Sequence, residues 1–419
     1  MTQTTVETAR SARLIPQLPR AAATVLAGDT LSALGSGMSL PFMLVYLHQV
    51  RGIDVATAAL ALSTIALASF VGNPVGGFLS DRVGPRPALL VGLVFSAAGA
   101  ATLGWVTCAP VAFLAAALLG LGNSIAWPAF DALLATVVTP AQRSAAFAVR
   151  HATLNAGIAI GAVIAGLIVD PGRPTTFQVV YLIDAATFLL FIPLLLLVPV
   201  PGGPVAPAAE HGGTNFRAVL QDRLFLSVAG LSALVVMIGF GQYHAAFPGW
   251  ATRDHGIPVS ALGICFAANA AAVVVLQLPV LRALVGRTRT TAISVACTSW
   301  AFGWTLALVS GHAGSGWPAI WGFVAAMVTF GLAETALAPT LTAIVNDLAP
   351  EALRGRYNAV SALGWTTGFF AGPALSGLAF GTHHGTVLMA LLIGTSLLGA
   401  LWATRLARHL PASANRIAI

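Results

Sequence analysis

The sequence predicts an all-α membrane protein with twelve transmembrane helices, arranged as two pseudo-symmetric six-helix bundles. Three observations support this prediction: an apolar composition, apolar stretches long enough to cross a bilayer, and an internal repeat. Apolar residues make up 57% of the 419 residues and charged residues only 8%, against roughly 45–50% and ~25% in soluble domains. The main solvent of this chain must therefore be lipid.

The individual spans follow from the lengths of the apolar stretches. Crossing the hydrocarbon layer takes about 17–25 apolar residues. Residues 88–106 and 387–403 meet that length without an internal charge, and residues 177–198 meet it with a single acid, Asp184. Dividing the chain at charges, Pro and Gly predicts spans at 21–48, 55–79, 88–106, 109–138, 143–169, 177–199, 224–250, 257–281, 291–310, 316–346, 355–380 and 386–407.

The distribution of arginine predicts the orientation. The chain has 20 Arg and no Lys, and a cytoplasmic N-terminus leaves only Arg51, Arg173 and Arg253 outside. This follows the positive-inside rule, so the net charge of +7 reports topology and not a nucleic-acid partner. We expect a multi-pass protein of the bacterial cytoplasmic (inner) membrane with both termini cytoplasmic.

A polar connection rich in Pro and Gly divides the chain. It predicts an N-terminal six-helix bundle at 1–199, a cytoplasmic linker at 200–223 and a C-terminal six-helix bundle at 224–419. An offset of 211 residues superposes spans four and five on spans ten and eleven, pairing Gly120 with Gly331, Pro128 with Pro339, Arg143 with Arg354, Gly157 with Gly368, Gly161 with Gly372 and Gly166 with Gly377. Parallel repeats of this kind occur in transporters, which bind substrate between them.

Missing motifs argue against other function classes. Cys108, Cys265 and Cys297 show no ligand spacing, so we expect neither disulfides nor a bound metal. The spans contain no Gly-x-Ser-x-Gly or His-Glu-x-x-His motif, and a phosphate-binding loop would need the lysine that the chain lacks. We expect no enzyme activity and no cofactor. A membrane-embedded enzyme and a non-transporting sensor are the alternatives from other classes.

The turn between spans two and three carries the most specific motif. It reads Gly76-Gly77-Phe78-Leu79-Ser80-Asp81-Arg82-Val83-Gly84-Pro85-Arg86 and closely resembles the loop 2–3 signature of the major facilitator superfamily. Three further segments resemble the twelve-span drug:proton antiporter branch: residues 339–356, residues 368–373, and Gly35-Ser36-Gly37 with Pro41 and Tyr46. The resemblance covers essentially the whole chain and implies a secondary transporter.

The resemblance also implies a conformational latch at this turn, formed by Gly77, Asp81, Arg82, Gly84, Arg86 and Asp131. In the family the acid contacts span eleven, which begins here near Arg354. A carboxylate at a helix N-terminus is stabilised by the helix dipole, so this contact would favour the state closed to the cytoplasm. We expect Arg82 and Arg86 to pair with Asp131; alternatively, these arginines only obey the positive-inside rule.

The chain departs from the antiporter pattern in places. The second half has Gly286-Arg287-Thr288-Arg289 without an acid, span five lacks the Gly-Pro pair often found in antiporters, and Ala117 stands about where span four often carries Arg. The last two differences weaken a direct transfer of proton antiport.

Four acids lie at membrane depth, where a charge costs at least ~2.5–3.5 kcal/mol: Asp29, Asp131, Asp184 and Glu334. Glu334 resembles the span-ten acid of several multidrug antiporters, and a carboxyl in a low-dielectric cavity can bind and release a proton near neutral pH. We interpret Glu334 and Asp29 as proton-coupling residues, with structural hydrogen bonds as the alternative. We interpret Asp184 as interfacial.

Polar and aromatic residues of spans four, five, seven, eight and eleven supply the expected substrate site: Asn123, Trp127, Asn155, Gln242, Tyr243, Asn269, Gln277 and Trp365. A mostly apolar lining with few polar groups suits amphiphilic ligands. We interpret Arg150 and His151 as wetted residues at the intracellular end of span five, with a titrating role as the alternative.

Together these features predict proton-coupled efflux of small amphiphilic compounds, of multidrug or antibiotic type, by alternating access. The expected partners are the small-molecule substrate, protons and the lipid bilayer, and we expect a monomer. An uptake symporter or a uniporter on the same fold is the alternative, because a fold fixes neither direction nor substrate.

Overall fold

The computed structural model describes residues 18–139, 142–199, 217–338, 340–350 and 353–417, without the side chains of Asp81, Ser144 and Arg354. Most of the predicted linker and Pro339 lie outside these residues. The described chain is almost entirely helical. The first half contains α1 (Arg20–Val50), α2 (Val55–Val83), α3 (Pro85–Gly104), α4 (Ala109–Val137), α5 (Arg143–Ile168) and α6 (Pro174–Leu196).

The second half repeats this order. It contains α7 (Arg223–Tyr243), α8 (Val259–Leu284), α9 (Arg289–His312), α10 (Trp317–Leu337), α11 (Arg354–Gly381) and α12 (Gly385–Leu406). Shorter helices lie at Arg217–Gln221, Leu341–Leu348 and Ala412–Asn415.

The all-helical membrane architecture is confirmed, and the number of spans is only partly confirmed. Among the described residues, eleven helices are long and apolar enough to cross a membrane. The long helix outside that set is α11, whose 28 residues begin with Arg354, Arg356 and Asn358 and mix apolar side chains with Gly, Ser and Thr. The count of twelve spans therefore stays a prediction that depends on α11.

Local chemistry sets several helix ends. The side chain of Asp54 accepts hydrogen bonds from the N–H groups of Ala56 and Thr57 at the start of α2, which satisfies donors that a helix leaves unpaired. At the other end of α2, Gly84 has a φ of 97°, a conformation that a side chain would strain. Pro85 then opens α3, where its missing N–H costs nothing.

The first helix of each half is irregular in a similar way. In α1, Pro41 lies in a 3-10 segment (Leu40–Phe42) and a π-helical turn follows at Tyr46–Val50. The path of α7 breaks at Gly239, and a π-helical turn follows at Gly249–Asp254. Such distortions occur in membrane helices where neighbouring helices satisfy the freed backbone groups.

Helix contacts also repeat between the halves. In the first half α4 packs against α2 and α3, α1 against α5 and α6, and α3 against α6. In the second half α10 packs against α8 and α9, α7 against α11 and α12, and α9 against α12. The same neighbours thus recur at the offset that the sequence repeat predicts.

The helix ends define two sides of the bundle. Arg86 at the start of α3 donates to the Leu196 carbonyl at the end of α6 over 2.7 Å, and the indole N–H of Trp402 in α12 donates to Ser227 in α7 over 2.9 Å. The hydroxyl of Tyr46, far along α1, instead donates to the Leu103 carbonyl at the far end of α3. We call the side of Arg86 and Trp402 the terminal side, and the other the opposite side.

The two halves touch closely on the opposite side. The side-chain amide of Gln49 in α1 donates to the hydroxyl of Thr252, just beyond α7, over 2.9 Å. At the crossing of α5 and α8, a Cβ on Gly166 would lie 3.0 Å from the Cα of Gly263. Small residues permit this approach of backbones, and the contacts close the space between the halves on this side.

Candidate functional site

A cavity of about 180 Å³ lies between the two halves. From the first half it is lined by Ser36, Gly37, Leu40, Pro41, Asn155 and Ile158, and from the second by Phe240, Tyr243, His244, Asn269, Ala270, Glu334 and Phe369. The irregular segment of α1 therefore forms part of its wall. The lining is mainly apolar and aromatic with a few convergent polar groups, as is typical of small-molecule sites.

Glu334 ends a chain of hydrogen bonds in this cavity. The hydroxyl of Tyr243 donates to Oδ1 of Asn269 over 2.8 Å, and Nδ2 of Asn269 donates to Oε1 of Glu334 over 2.9 Å. Among the described residues, no basic side chain forms an ion pair with Glu334. Within the described chain, the carboxyl is thus held by a neutral donor, the amide of Asn269.

A close helix crossing produces this geometry. Gly331 lies one turn before Glu334 on α10, and a Cβ there would be 2.9 Å from the Asn269 carbonyl oxygen and 2.8 Å from the Cβ of Ala272. Because Gly331 lacks a side chain, α8 can approach α10 closely enough for Asn269 to reach Glu334.

A second charged group lies within the first half, around Arg150 of α5. Its Nε donates to Oδ2 of Asp29 on α1 over 3.1 Å, and its Nη1 forms a very short ion pair with Oδ1 of Asp131 on α4. The guanidinium carbon also lies 4.1 Å from the ring centre of Phe130 and 4.7 Å from that of Trp127. Arg150 is only 7% exposed, so charge pairing and ring contacts replace its hydration.

Glycines of α5 also bring this cluster together. A Cβ on Gly157 would lie 2.7 Å from the carbonyl oxygen of Thr30, the residue after Asp29. α1 therefore runs directly against α5, and Asp29 comes within hydrogen-bond reach of Arg150. With two carboxylates and one guanidinium, the cluster carries a net charge of −1 when all three groups are ionised.

These contacts correct two expectations. Asp131 pairs with Arg150 and not with Arg82 or Arg86: Arg86 donates to the Leu196 carbonyl, and Arg82 lies 5.4 Å from the ring centre of Phe78. Arg150 is not a wetted residue at a helix end, because α1 and α4 cover it. The cost of burying a charge at membrane depth was the sequence signal for this site, and it applied to Arg150 as much as to the acids.

Asp184 is the third correction. It is 1% exposed and accepts a hydrogen bond from Ser39 over 2.5 Å, so it is buried between α1 and α6 and not interfacial. Its other carboxyl oxygen, Oδ1, has no hydrogen-bond partner in the described part of the chain.

The predicted substrate residues divide into two groups. Asn155, Tyr243 and Asn269 line the cavity, and Trp365 stacks on the cavity residue Phe240 with ring centres 6.0 Å apart. The others face elsewhere: Asn123 accepts from Ser96 of α3, Trp127 covers Arg150, Gln242 is fully buried and accepts from Ser376 of α11, and Gln277 interacts with His151.

The latch is only partly described. Gly77 has open space around it and Gly84 ends α2 with a positive φ. The side chains of Asp81 and Arg354 lie outside the described residues, so their contact stays a prediction.

Some cavity residues were not predicted from the sequence. Ser36 and Gly37 were noted only for their resemblance to span one of the antiporters, while Phe240 and Phe369 look like ordinary apolar residues of α7 and α11. His244, for which the sequence leaves a functional role open as it does for His151, also lines the cavity, and its Nδ1 has no hydrogen-bond partner in the described chain.

The chain resembles known proteins in family, in sequence and in structure. The family profile described as Major Facilitator Superfamily matches residues 25–252 and 229–417. The chain is 26% identical to the uncharacterized MFS-type transporter YqjV of Bacillus subtilis, over 90% of this chain and 91% of YqjV. It is 25% identical to a Na(+), Li(+), K(+)/H(+) antiporter of Planococcus maritimus, over 83% and 87% of the two chains.

More distant similarities extend this set. The quinolone resistance protein NorA of Staphylococcus aureus is 22% identical over 51% of this chain and 54% of its own length. A crystal structure of a variant of the peptide transporter POT in complex with sulfate superposes with a TM-score of 0.77 at 16% identity, covering 96% of this chain and 98% of that one. At that identity the structural match concerns the fold alone.

Proposed function

Because this chain belongs to the Major Facilitator Superfamily, we propose that it is a proton-coupled secondary transporter that exports small amphiphilic compounds by alternating access. The observation that carries this proposal is the carboxyl of Glu334, which lines the cavity between the halves and is held by Asn269 without a basic partner among the described residues. Such a group can take up a proton or meet a cationic ligand, but it cannot do both at once.

The competition supplies the coupling. An ionised Glu334 attracts a cationic substrate into the cavity, and a protonated Glu334 is neutral and releases it. The electrostatic attraction between the ionised Glu334 and a cationic substrate is strongest when the carboxylate is desolvated, because the surrounding dielectric constant is low. The apolar wall of Leu40, Ile158, Phe240 and Phe369 favours compounds that join a cationic group to apolar rings or chains.

The first half contributes a second acidic site. The cluster of Asp29, Asp131 and Arg150 has two carboxylates but only one guanidinium group. Asp131 keeps 40% of its side-chain surface exposed. We propose Asp29 and Asp131 as further proton acceptors whose protonation loosens the pairing of α1 and α4 with α5. Glu334 and Asp29 then act in different halves. In alternating access, the two halves rock relative to one another about the site between them.

The conformation fits an exchange cycle. The halves are joined on the opposite side through Gln49 and Thr252 and through Gly166 and Gly263, so the cavity is closed toward that side. We assign the terminal side to the cytoplasm, because most arginines lie there, and we count α11 as the twelfth span. The relatives named as a cation/H(+) antiporter and as a quinolone resistance protein support exchange and export.

The decisive experiment measures transport of a fluorescent cationic dye into proteoliposomes under an imposed proton gradient. We expect gradient-driven dye movement with the wild type and with Asp170→Asn, an exposed loop acid, and none with Glu334→Gln. Equal gradient-driven movement by wild type and Glu334→Gln would remove Glu334 as the coupling group. Dye that moves in the same direction as the protons would favour the uptake symporter, and a requirement for Na⁺ would replace the proton.

A further inference from the structure

A groove between the terminal-side ends of α7 and α12 combines basic and apolar side chains. It has a volume of about 770 Å³, within the roughly 300–1,000 Å³ of small-ligand sites. Its lining residues are Arg223, Leu224, Ser227, Leu398, Leu401, Trp402, Arg405, Leu406 and His409. It lies outside the cavity between the halves, and no residue of the transport cavity contributes to it.

The basic residues of the groove have no acidic partner among the described residues. Arg223 opens α7 and Arg405 lies in the last turn of α12, and both are exposed. In the described part of the chain neither forms an ion pair, and no acid lines the groove. The neighbouring carboxylate of Asp222 is occupied elsewhere, because it accepts from the Phe225 N–H and from the Tyr357 hydroxyl.

The apolar part of the groove continues along the helices into the membrane. Leu398 and Leu401 are 61% and 50% exposed and lie one to two turns before Arg405 on α12. Trp402 stands at the boundary, where its indole N–H donates to Ser227 of α7 over 2.9 Å. Trp and Arg near the end of a transmembrane helix, as at Trp402 and Arg405 of α12, are typical of the layer of lipid headgroups.

We propose that this groove binds one anionic phospholipid, with its phosphate between Arg223 and Arg405 and an acyl chain along Leu398 and Leu401. The charge of the groove complements the phosphate, and His409 offers a further hydrogen-bond donor. Basic pockets between transmembrane helices at the headgroup layer recognise anionic lipids in this way. The bound lipid bridges the first and last helices of the second half and stabilises their contact.

Native mass spectrometry of the purified full-length chain tests the site. The protein is titrated with phosphatidylglycerol and, separately, with phosphatidylcholine of the same acyl chains. We expect phosphatidylglycerol to bind the wild type at least fivefold more tightly. Each of Arg223→Gln and Arg405→Gln should weaken phosphatidylglycerol binding about fivefold, whereas Arg405→Lys keeps most of the affinity and phosphatidylcholine binding stays unchanged.

The matched control is Arg408→Gln, which removes an exposed arginine from the same end of the chain but outside the groove, and which should bind like the wild type. Equal affinities for the two lipids, or wild-type affinity in the Arg223→Gln, Arg405→Gln double variant, would overturn the proposal. Full competition by glycerol 3-phosphate, which has the phosphate but no acyl chain, would show a site for free anions and would also overturn it. Size-exclusion profiles report whether each variant is folded.

Discussion

Arg150 of α5 and Asp29 of α1 form a buried ion pair with 3.1 Å between Nε and Oδ2, and Asp131 of α4 occupies the other edge of the same guanidinium. One arginine thus ties together three helices of the first half. Two of them, α1 and α5, also supply one wall of the cavity. The charge state of this cluster is therefore connected to the shape of the cavity through shared helices.

Removal of the central cation should destabilise the protein strongly. In Arg150→Met the mostly buried Asp29 and the partly exposed Asp131 lose their partner, and breaking a buried pair such as Arg150–Asp29 costs about 3–5 kcal/mol. Unfolding in mixed detergent micelles measures this loss. Arg143→Met removes an exposed arginine from the first turn of the same helix and should change stability by less than ~0.5 kcal/mol. Equal stability of the two variants would show that the cluster contributes nothing net.

The double variant Asp29→Asn, Arg150→Met separates pairing from packing. If Asp29 is destabilising only when it is left unpaired, the double variant is more stable than Arg150→Met alone. A purely additive result would mean that the two side chains are not energetically coupled.

Asn269 should position Glu334 for transport. Asn269→Ala removes a hydrogen bond to a charged group, worth about 1.5–3 kcal/mol, and we expect gradient-driven dye transport to fall by about tenfold or more. Tyr243→Phe leaves Asn269 in place and should lower transport only about fivefold. Asn123→Ala, whose amide faces Ser96 and not the cavity, is the control. If transport by Asn123→Ala falls as much as transport by Asn269→Ala, the hydrogen bond from Asn269 to Glu334 has no specific role in transport.

The crossing of α5 and α8 should limit closure on the opposite side. A Cβ on Gly263 would lie 3.0 Å from the Cα of Gly166 and 2.5 Å from the Ala162 carbonyl oxygen, so Gly263→Ala must push the helices apart. Overpacking of this kind costs about 1–3 kcal/mol, which shifts the population away from the closed state about five- to 150-fold.

Thiol labelling of Ser36→Cys measures that shift, in a Cys108→Ser background that removes the exposed native thiol. Labelling from the opposite side should rise when Gly263→Ala is added. Gly394→Ala is the matched control, because a Cβ at Gly394 meets nothing within 4 Å. Unchanged labelling in Gly263→Ala would mean that this crossing does not govern closure.

Acidification should weaken the opposite side through His255, in the loop before α8. Burial of the imidazole, followed by repulsion from His312, lowers the pKa of His255 from its usual value. The folded protein thus favours the neutral ring. As the pH falls below the unfolded-state value of ~6.5, the unfolded chain takes up the proton first, and stability is lost until the folded pKa is passed.

Apparent melting temperatures at pH 7.5 and pH 5 measure this effect. The decrease should be smaller in His255→Gln than in the wild type, because the titrating group is gone. His384→Gln, which replaces an exposed histidine at the start of α12, should behave as the wild type does. Identical decreases in the wild type and in both variants would remove His255 from the pH response.

The sequence alone predicted the lipid environment of the chain, its helices and their order. Apolar runs, Pro and Gly set most helix positions to within a few residues, because lipid leaves the backbone no alternative to internal hydrogen bonds. The exceptions are spans seven and ten, predicted to end at 250 and 346, where the regular helices end at Tyr243 and Leu337. The spacing of glycines also revealed the repeat, and membrane depth singled out Glu334, Asp29 and Asp131. These properties depend on the identity of each residue and its neighbours along the chain.

Only the tertiary structure decided which side chains meet. It joined Asp131 to Arg150 and not to Arg86, turned Gln242 toward Ser376, and buried Asp184 against Ser39. The physical reason is that a partner on another helix depends on the rotation and crossing of both helices. Those are fixed by close contacts such as Gly157 against Thr30 and Gly331 against Asn269, which span distant parts of the chain and leave no local pattern in the sequence.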